Sequence, residues 1–378
     1  MAVATILVTG PARGLVGGQS RHLDVLALVA ARLDCALAHV EIGRRGSEDR
    51  RTATPLRLLR DYRQLASKLI QTRAANAVPP LVLHVNSSVQ YASLLRDLVF
   101  VAIGRLLGAD LVVVQFHGCE LADPSDRRPV LRLLARLAAA AADRLVVLSR
   151  SQARAIGGAA TTAEVIPNAI LLQTPVLRRA ASPATRPLRL LYLARMIPQK
   201  GPLLCLQAAA LLRDRGIHVE LTLAGEGPLL HELPSRVREL RLENRVVVAG
   251  AVPSQQVRSL LAKHDLLWAP SIYAEGQPYS LIEALEAGLP VLACVPNAAM
   301  REMVDACAGA VLPVEPDAQA LAAATASLAA TAGGIEHLQD LARQVAGRRH
   351  SLEAALPRWK AAWSLPSSAP SKARLPAT

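Results

Sequence analysis

Two kinds of hydrophobic pattern alternate along the chain: short, almost continuously apolar runs, and longer segments in which apolar residues recur at helical spacing. The short runs of the first half are TILVTG, LVLHVN, DLVVVQFHG and DRLVVLS, and those of the second half are LRLLYLAR, VELTLAG, RVVVAG, DLLWAP and PVLAC. Strands that are apolar on both faces are typical of parallel sheets covered by helices. The pattern therefore predicts an α/β protein with two Rossmann-like, doubly wound domains.

A stretch without periodicity separates the two halves. Residues 173–187, QTPVLRRAASPATRP, are rich in Pro, Ala, Arg and Ser and are predicted to be a linker. We therefore expect an N-terminal domain over 1–172 and a C-terminal domain over 188–350. A helix over 351–363 is expected to cross back to the N-terminal domain, ahead of a disordered tail over 364–378. Ligands of such sheets bind beyond the carboxyl ends of the strands, so the two domains are expected to face each other across a binding cleft.

Composition excludes several classes of protein. The length of 378 residues suits two domains, and 52% apolar residues exclude a disordered chain. The five cysteines stand at no metal-ligand or C-x-x-C spacing, so we expect unpaired thiols in a reducing compartment and no zinc site. The N-terminus lacks a basic stretch before its short apolar run, and the most apolar stretch, LVFVAIG, is far shorter than the roughly 20 residues that span a bilayer. These features predict a cytoplasmic protein.

The chain is strongly basic, with 43 Lys and Arg against 30 Asp and Glu and a net charge of +13. Such a charge indicates an anionic partner: a nucleic acid, a nucleotide or the anionic leaflet of a membrane. High usage of Ala, Arg and Leu leaves a second explanation open, namely the base composition of the gene.

Three strand ends in the second half carry candidate ligand groups. In LARMIPQKG, Arg195 closes a strand and Lys200 stands at the start of the next helix, where two cations beside helix amides suit a diphosphate. LAGEGP ends in a Gly-x-Gly turn, but Leu230 replaces the third glycine of a dinucleotide fingerprint. In VVVAGAVP, the peptide groups around Gly250 could face a planar base. Solvated charges and tight turns remain the alternative for each motif.

The segment YAEGQPYSLIEALEAGLPVLA, residues 273–293, places two glutamates on either side of a Gly and Pro break. Glu275 falls on the loop, and Glu283 falls one turn inside the helix that follows. The amides of Ser280 and Leu281 at the helix start suit a phosphate, and Glu283 can reach two vicinal hydroxyls of a ribose. Glu275 would then face the group attached to the phosphate. Two solvated acids are the alternative.

Two features of the first half could close the site from the opposite side. Gly17 and Gly18 stand between the first strand and the first helix, where backbone can approach a ligand. His117 ends a central strand. A ligand-free glycine loop and a structural histidine are the alternatives.

Together, the order of these motifs, with VIPNAI at 165–170, resembles glycosyltransferase family 4, the "group 1" set with the GT-B fold, over most of residues 5–320. The resemblance implies a retaining enzyme that transfers a sugar from a nucleotide-diphosphate sugar, UDP- or GDP-linked, with no required metal or cofactor. It also implies a saccharide or polyprenyl-linked acceptor, as in bacterial surface-polysaccharide synthesis.

The resemblance also implies roles for individual residues. Arg195 and Lys200 would hold the diphosphate, and Glu283 the ribose. Gly250 would contact the base, and Gly276 with the amides of Ser280 and Leu281 would contact the phosphate region. Glu275 and His117 would be catalytic residues beside the reacting sugar. Gly17 and Gly18 would close the site. Two departures from the family pattern, Ala194 for a glycine and Gln277–Pro278 for an aromatic, suggest that the sugar's identity is read near Gln277.

Two basic amphipathic segments of the first half, residues 55–70 and 127–145, could rest on anionic lipid headgroups. The second places Arg128, Arg132 and Arg136 on one helical stripe. Ordinary domain helices with a solvated face are the alternative to a peripheral membrane contact.

Two other functions compete with sugar transfer. A nucleotide-sugar epimerase shares the two-domain fold and needs no acceptor. A basic nucleic-acid-binding protein would explain the charge, but the chain has only 3% aromatic residues and no recognition motif, so we expect no nucleic-acid partner.

Overall fold

The computed structural model describes residues 2–12, 17–43, 54–75, 78–117, 121, 128–172, 186–307, 309–331 and 333–365. The predicted linker lies outside the described residues except for Arg186 and Pro187. Arg186 makes two hydrogen bonds of 2.7 and 2.8 Å to the carboxylate of Asp265, which attach the end of the predicted linker to the C-terminal half. The predicted tail lies outside them from residue 366, whereas Leu365 is buried in the core.

A six-stranded parallel sheet forms the N-terminal half, in the order β2-β1-β3-β4-β5-β6. Its strands are β1 Ala4–Gly10, β2 Cys35–Glu41, β3 Leu81–Ser87, β4 Leu111–Phe116, β5 Arg144–Val147 and β6 Glu164–Val165. The apolar runs predicted four of these strands. They missed β2, where a histidine and small residues interrupt the apolar run, and β6, which is two residues long.

A second six-stranded parallel sheet forms the C-terminal half, in the order β12-β11-β10-β7-β8-β9. Its strands are β7 Leu188–Leu193, β8 Val219–Ala224, β9 Val246–Gly250, β10 Leu266–Ala269, β11 Val291–Cys294 and β12 Val311–Val314. The sequence predicted all but β12, which lies at the sheet edge and contains a proline. The strand order reverses between β1 and β3 in the first sheet and between β7 and β10 in the second. The predicted class of two doubly wound α/β domains is confirmed.

Helices cover both sheets. They are α1 Gly18–Arg32, α2 Thr54–Ala74, α3 Tyr91–Leu106, α4 Pro129–Ala141, α5 Arg150–Ile156, α6 Pro202–Asp214, α7 Leu233–Glu239, α8 Ser254–Ala262, α9 Tyr279–Glu286, α10 Ala298–Ala306, α11 Ala318–Ala330, α12 Gly334–Arg349 and α13 Leu352–Ala362.

The alternation of side chains along each strand separates the cores. On β1, Leu7 faces a cluster with α2, α3 and α4, whereas Ile6 and Val8 face the opposite cluster with α1. On the second sheet, one face packs on α6 and α11. The other face packs on α9, α10 and α12 and belongs to the same cluster as Ile6 and Val8. One continuous core therefore crosses from the N-terminal half to the C-terminal half.

The last helix strengthens this connection. Helix α13 packs against α1, and its Trp359 ring lies 5.3 Å from the ring of His84 on β3. Trp363, just after the helix, donates from its indole N–H to His84 at 3.3 Å. The C-terminal end of the chain thus packs against the first sheet.

Within the described part of the chain, no single helix is long and apolar enough to cross a bilayer; α11 and α12 pass that test only as a pair, bent by 103°.

Candidate functional site

The strand order reverses in the second sheet where β7 and β10 lie side by side. The loop after β7 carries Arg195 and Lys200, and the loop after β10 carries Glu275. A crevice opens at such a reversal because the two following helices leave on opposite faces of the sheet. Residues that are far apart in sequence, such as Lys200 and Glu275, therefore meet at one edge of the sheet.

Lys200 and Glu275 form an ion pair at this edge, and their side chains are 11% and 15% exposed. The Glu275 carboxylate also accepts a hydrogen bond from the Ser271 hydroxyl at 3.1 Å. Its backbone carbonyl accepts from the Asn297 side chain at 2.9 Å. The carboxylate is thus held in place and neutralised by a cation.

Tyr273 provides a common surface for the two cations. The Arg195 guanidinium lies 5.5 Å and the Lys200 ammonium 5.2 Å from the centre of its ring. Both distances allow a cation–π interaction. Burial, with the nearby Arg195 charge, lowers the pKa of Lys200 to about 7. A site that holds two cations this close together favours an anion between them.

Glycines seat the Lys200 loop against its neighbours. Gly201, which follows Lys200, has φ +74°, and a Cβ there would lie 2.7 Å from the Pro270 carbonyl oxygen. The Gly-x-Gly turn acts in the same way, because a Cβ at Gly225 or Gly227 would overlap the backbone of the loop that carries Arg195. The glycines after β8 therefore allow close backbone packing inside the protein.

The first turn of α9 lines a small cavity of about 30 Å³ together with the ion pair. Ser280 and Leu281 face this cavity with Lys200 and Glu275. No side chain caps the helix, although the Leu281 amide makes a 3.2 Å hydrogen bond to the Pro278 carbonyl. Four predicted site residues thus share one cavity. Gly276 is buried just before it, and Gly250 lies apart, where its carbonyl accepts from the Gly225 amide at 2.7 Å.

Glu283 is also ion-paired, across the boundary between the halves. Its carboxylate accepts from the Arg21 Nε at 3.1 Å. Burial raises the pKa of Glu283, while Arg21 acts in the opposite direction. Both side chains line a cavity of about 700 Å³ with residues of α8, a volume in the range of ligand sites.

A buried polar network lies beneath α9, and its hydrogen-bond directions follow from one donor. Trp363 can only donate, so His84 accepts at Nδ1 and donates from Nε2 to the Gln115 Oε1 at 3.1 Å. The His22 Nε2 lies 2.8 Å from the same oxygen and must also donate. His22 Nδ1 therefore accepts from the Tyr279 hydroxyl at 3.0 Å. Both histidines are neutral in this arrangement.

His117 joins the same group of rings. It lies 4.4 Å from His22, and its Nε2 is 2.8 Å from the Asn86 Oδ1. The Asn86 amide group donates to the Thr9 carbonyl at 2.8 Å, so its oxygen accepts from His117. Burial, with the neighbouring histidines, lowers the pKa of His117 well below its ordinary value. His117 is thus a neutral imidazole with an unprotonated Nδ1.

The predicted glycine pair lies at the start of α1. A Cβ on Gly17 would meet no atom within 4 Å, and one on Gly18 would lie 3.8 Å from the Tyr279 ring. Protein packing therefore does not require glycine at either position. Their place beside α9 leaves ligand approach as the reason proposed for them.

Gln277 makes its side-chain hydrogen bonds outside the small cavity of the site. Its side chain is buried, with Oε1 accepting from the Asn168 amide at 2.8 Å and Nε2 donating to the Leu148 carbonyl at 2.7 Å. The Asn168 side chain donates a second hydrogen bond, to the Gln277 carbonyl, at 2.9 Å. The Gln277 side chain therefore does not line the cavity, because its polar atoms are hydrogen-bonded to the N-terminal half, whereas Pro278 does line it. Reading of the sugar near these two residues stays a prediction.

Sequence reasoning missed five residues around the site, which are Arg21, His22, Asn168, Tyr273 and Tyr279. The signal for the first two was present: they directly follow the Gly17–Gly18 start of α1, where polar residues interrupt a helix that is otherwise mostly apolar. The partners of the tyrosines and of Asn168 are distant in sequence, so no local pattern identified them.

Among the described residues, no group of three His, Cys, Asp or Glu side chains could hold a metal ion. Four cysteines are free thiols, and Cys119 lies outside the described residues.

Comparisons with known proteins fit this geometry. Residues 174–345 match the family of glycosyl transferases group 1. The chain is 33% identical over 143 residues to the amylovoran biosynthesis glycosyltransferase AmsK of Erwinia amylovora, an alignment that covers 36% of this chain and 35% of that protein. It is 31% identical over 150 residues to the putative colanic acid biosynthesis glycosyltransferase WcaL of Escherichia coli K12, covering 38% and 36%. The chain thus spans little more than a third of the length of these curated relatives.

Solved structures share the whole architecture. Anabaena HepE, in complex with UDP-glucose, superposes with a TM-score of 0.67 at 20% identity, covering 96% of this chain and 100% of that chain. Sucrose-phosphate synthase of Thermosynechococcus elongatus gives a TM-score of 0.71 at 18% identity, covering 96% and 98%. At such identities the likeness concerns the fold, and the predicted GT-B fold is confirmed. The chain therefore has the GT-B fold, and its residues 174–345 match the group 1 glycosyl transferases.

Proposed function

We propose that this protein is a retaining glycosyltransferase of family 4 that moves a sugar from a nucleoside diphosphate sugar to a saccharide acceptor. The meeting of Lys200 and Glu275 with the first turn of α9 in one cavity carries this proposal. Arg195 and Lys200 bind the diphosphate, Glu283 the ribose, and the peptide groups near Gly250 the base. The binding of UDP-glucose and of UDP by HepE supports a nucleotide donor. UDP and GDP both stay candidates.

The chemistry assigns different tasks to the two charges of the ion pair. Negative charge grows on the leaving diphosphate as the glycosidic bond lengthens, and Lys200 and Arg195 stabilise it without rearrangement of solvent. These cations can take the place of a divalent metal. The leaving phosphate accepts the proton of the acceptor hydroxyl. Glu275, held by Lys200 and Ser271, contacts the donor sugar and is not a covalent nucleophile.

The N-terminal half supplies the other wall of the site. His117 is neutral, and its unprotonated Nδ1 accepts a hydrogen bond from the donor sugar. Gly17 and Gly18 allow the backbone to approach the donor. We propose that residues 1–172 bind the acceptor and 188–350 the donor, with 173–187 as linker.

We further propose a lipid-linked acceptor at the inner face of the plasma membrane, for synthesis of a surface polysaccharide. The sequence pointed to the arginine stripe of α4, but Arg136 instead donates to the Ile156 carbonyl at 2.7 Å. The outward face of α4 is mostly apolar: Val130, Leu133 and Leu137 are 57%, 55% and 48% exposed, beside the exposed Arg136. An apolar helix face on a chain of net charge +13 suits the interface of an anionic bilayer.

Thermal unfolding of the full chain with UDP-, GDP-, ADP- and dTDP-sugars tests the donor assignment, because a ligand that binds only the folded state raises Tm. One nucleotide class should raise Tm, and none doing so would contradict the proposal. The anomeric configuration of the product, measured by NMR, tests retention. Conversion of donor to an epimer without acceptor would instead identify an epimerase.

A further inference from the structure

Two consecutive residues of α1 reach across the boundary between the halves to α9. The Arg21 Nε lies 3.1 Å from the Glu283 carboxylate, and the His22 Nδ1 lies 3.0 Å from the Tyr279 hydroxyl. Tyr279 and Glu283 are four residues apart and therefore share one face of α9. Two neighbouring side chains of α1 therefore contact that face of α9, which carries the proposed ribose ligand.

The two contacts differ in their surroundings. His22 and Tyr279 are buried, at 3% and 8% exposure, and the Gln115 side chain fixes the orientation of the imidazole. Arg21 and Glu283 are more accessible, with side chains 41% and 19% exposed, and both line the 700 Å³ cavity. A buried hydrogen bond that is fixed at both ends persists, whereas a partly exposed ion pair is weak and can be exchanged.

The contact with Arg21 takes up part of the hydrogen-bonding capacity of the Glu283 carboxylate and neutralises its charge. A carboxylate that binds two vicinal hydroxyls accepts one hydrogen bond from each of them, and Arg21 already donates to Oε1 of Glu283. A nucleotide entering the cavity at Glu283 therefore meets a carboxylate that is already paired.

We propose that Arg21 and His22 are positioning residues of the donor site. His22 keeps α9 docked on the N-terminal half. Arg21 neutralises Glu283 while the site is empty and yields it to the ribose hydroxyls of a nucleoside diphosphate. This inference rests on the proposed function, because it takes Glu283 as the ribose ligand.

Binding measurements on the full chain test whether Arg21 yields Glu283 to the ribose. Removing the competing cation with Arg21→Gln should tighten binding of UDP or GDP by about two- to fivefold in calorimetry. Arg21→Lys should stay close to the parent because it keeps the charge. Arg32→Gln is the matched control, since Arg32 lies on the same helix and pairs with Glu353 at 3.4 Å, away from the cavity. Unchanged or weaker binding by Arg21→Gln would overturn the exchange.

Hydrogen exchange without nucleotide tests the docking role independently of the donor. Tyr279→Phe removes only the hydroxyl that His22 accepts from, so the variant should fold, and backbone amides of α9 should exchange about three- to tenfold faster. Arg32→Gln should leave these amides unchanged. Equal exchange in Tyr279→Phe and the parent would refute docking through His22. If neither nucleotide binds the parent protein, the proposed function and the release of Glu283 by Arg21 both fail. The hydrogen-exchange rates of the α9 amides still decide the role of His22.

Discussion

Asn168 donates two hydrogen bonds to Gln277 across the boundary between the halves. The Asn168 amide donates to the Gln277 side chain at 2.8 Å, and the Asn168 side chain donates to the Gln277 carbonyl at 2.9 Å. His350 adds a third contact, with its Nδ1 2.8 Å from the Asn168 carbonyl. The loop that carries Glu275 is thereby joined to the N-terminal half and to the end of α12.

Gln277→Ala should destabilise the fold. The variant would leave the buried Asn168 amide and the Leu148 carbonyl without partners, which costs about 1–3 kcal/mol for each group. We expect the free energy of unfolding in urea to fall by roughly 2–4 kcal/mol. Gln256→Ala, at an exposed position of α8, is the control and should change little. A change of donor sugar preference in Gln277→Met, without loss of stability, would contradict this structural role.

Lys200→Ala should weaken nucleotide binding. A partly buried cation that binds a diphosphate contributes about 1.5–3 kcal/mol, so the Kd measured by calorimetry should rise roughly 10- to 100-fold. Lys263→Ala removes an exposed lysine at the end of α8 and serves as control. An unchanged Kd in Lys200→Ala would remove the proposed diphosphate site.

Glu275→Gln should lower turnover more than donor affinity. The substitution keeps the shape of the side chain but removes the charge that pairs with Lys200 and that we propose contacts the donor sugar. We expect kcat to fall by roughly 100-fold or more with a change in donor KM below about fivefold. Steady-state kinetics with the identified donor measure both. A large rise in KM at constant kcat would instead make Glu275 a simple binding residue.

Stability should fall as the pH is lowered below 6.5. Burial lowers the pKa of His22 to about 4, of His84 to about 3 and of His350 to about 4, from an ordinary value of 6.5. Between the ordinary and the lowered pKa values the unfolded chain binds protons that the folded chain does not, so the stability present above pH 6.5 is lost on acidification. We expect each histidine to lower the free energy of unfolding by about 1–2 kcal/mol when the pH falls from 7 to 5.

Urea unfolding at both pH values measures this loss. His350→Gln keeps a donor for the Asn168 carbonyl and should lose less stability on acidification than the parent. His337→Asn, at an exposed position of α12, should behave like the parent. Equal losses in all three proteins would show that buried histidines do not cause the acid sensitivity.

Membrane association should depend on the apolar face of α4. Leu133→Gln combined with Leu137→Gln should reduce co-flotation with anionic vesicles by about tenfold, because both side chains would lose burial in the bilayer interface. Val247→Gln, at a 62% exposed position in the C-terminal half, is the control. Equal recovery of parent and double variant in the soluble fraction would refute the contact.

The sequence by itself determined the elements of the fold and the local parts of the site. Apolar runs predict nine of the strands, because a strand that is buried on both faces needs apolar side chains on both. The glycine–proline break before a periodic helix predicts that Glu275 lies on a loop and Glu283 in the helix. Only the tertiary structure decided which groups meet. Lys200 pairs with Glu275, Arg21 pairs with Glu283, and the Gln277 side chain is hydrogen-bonded to the N-terminal half. Such contacts depend on how two separate sheets face each other, and hydrophobic periodicity within either half carries no information about that relationship.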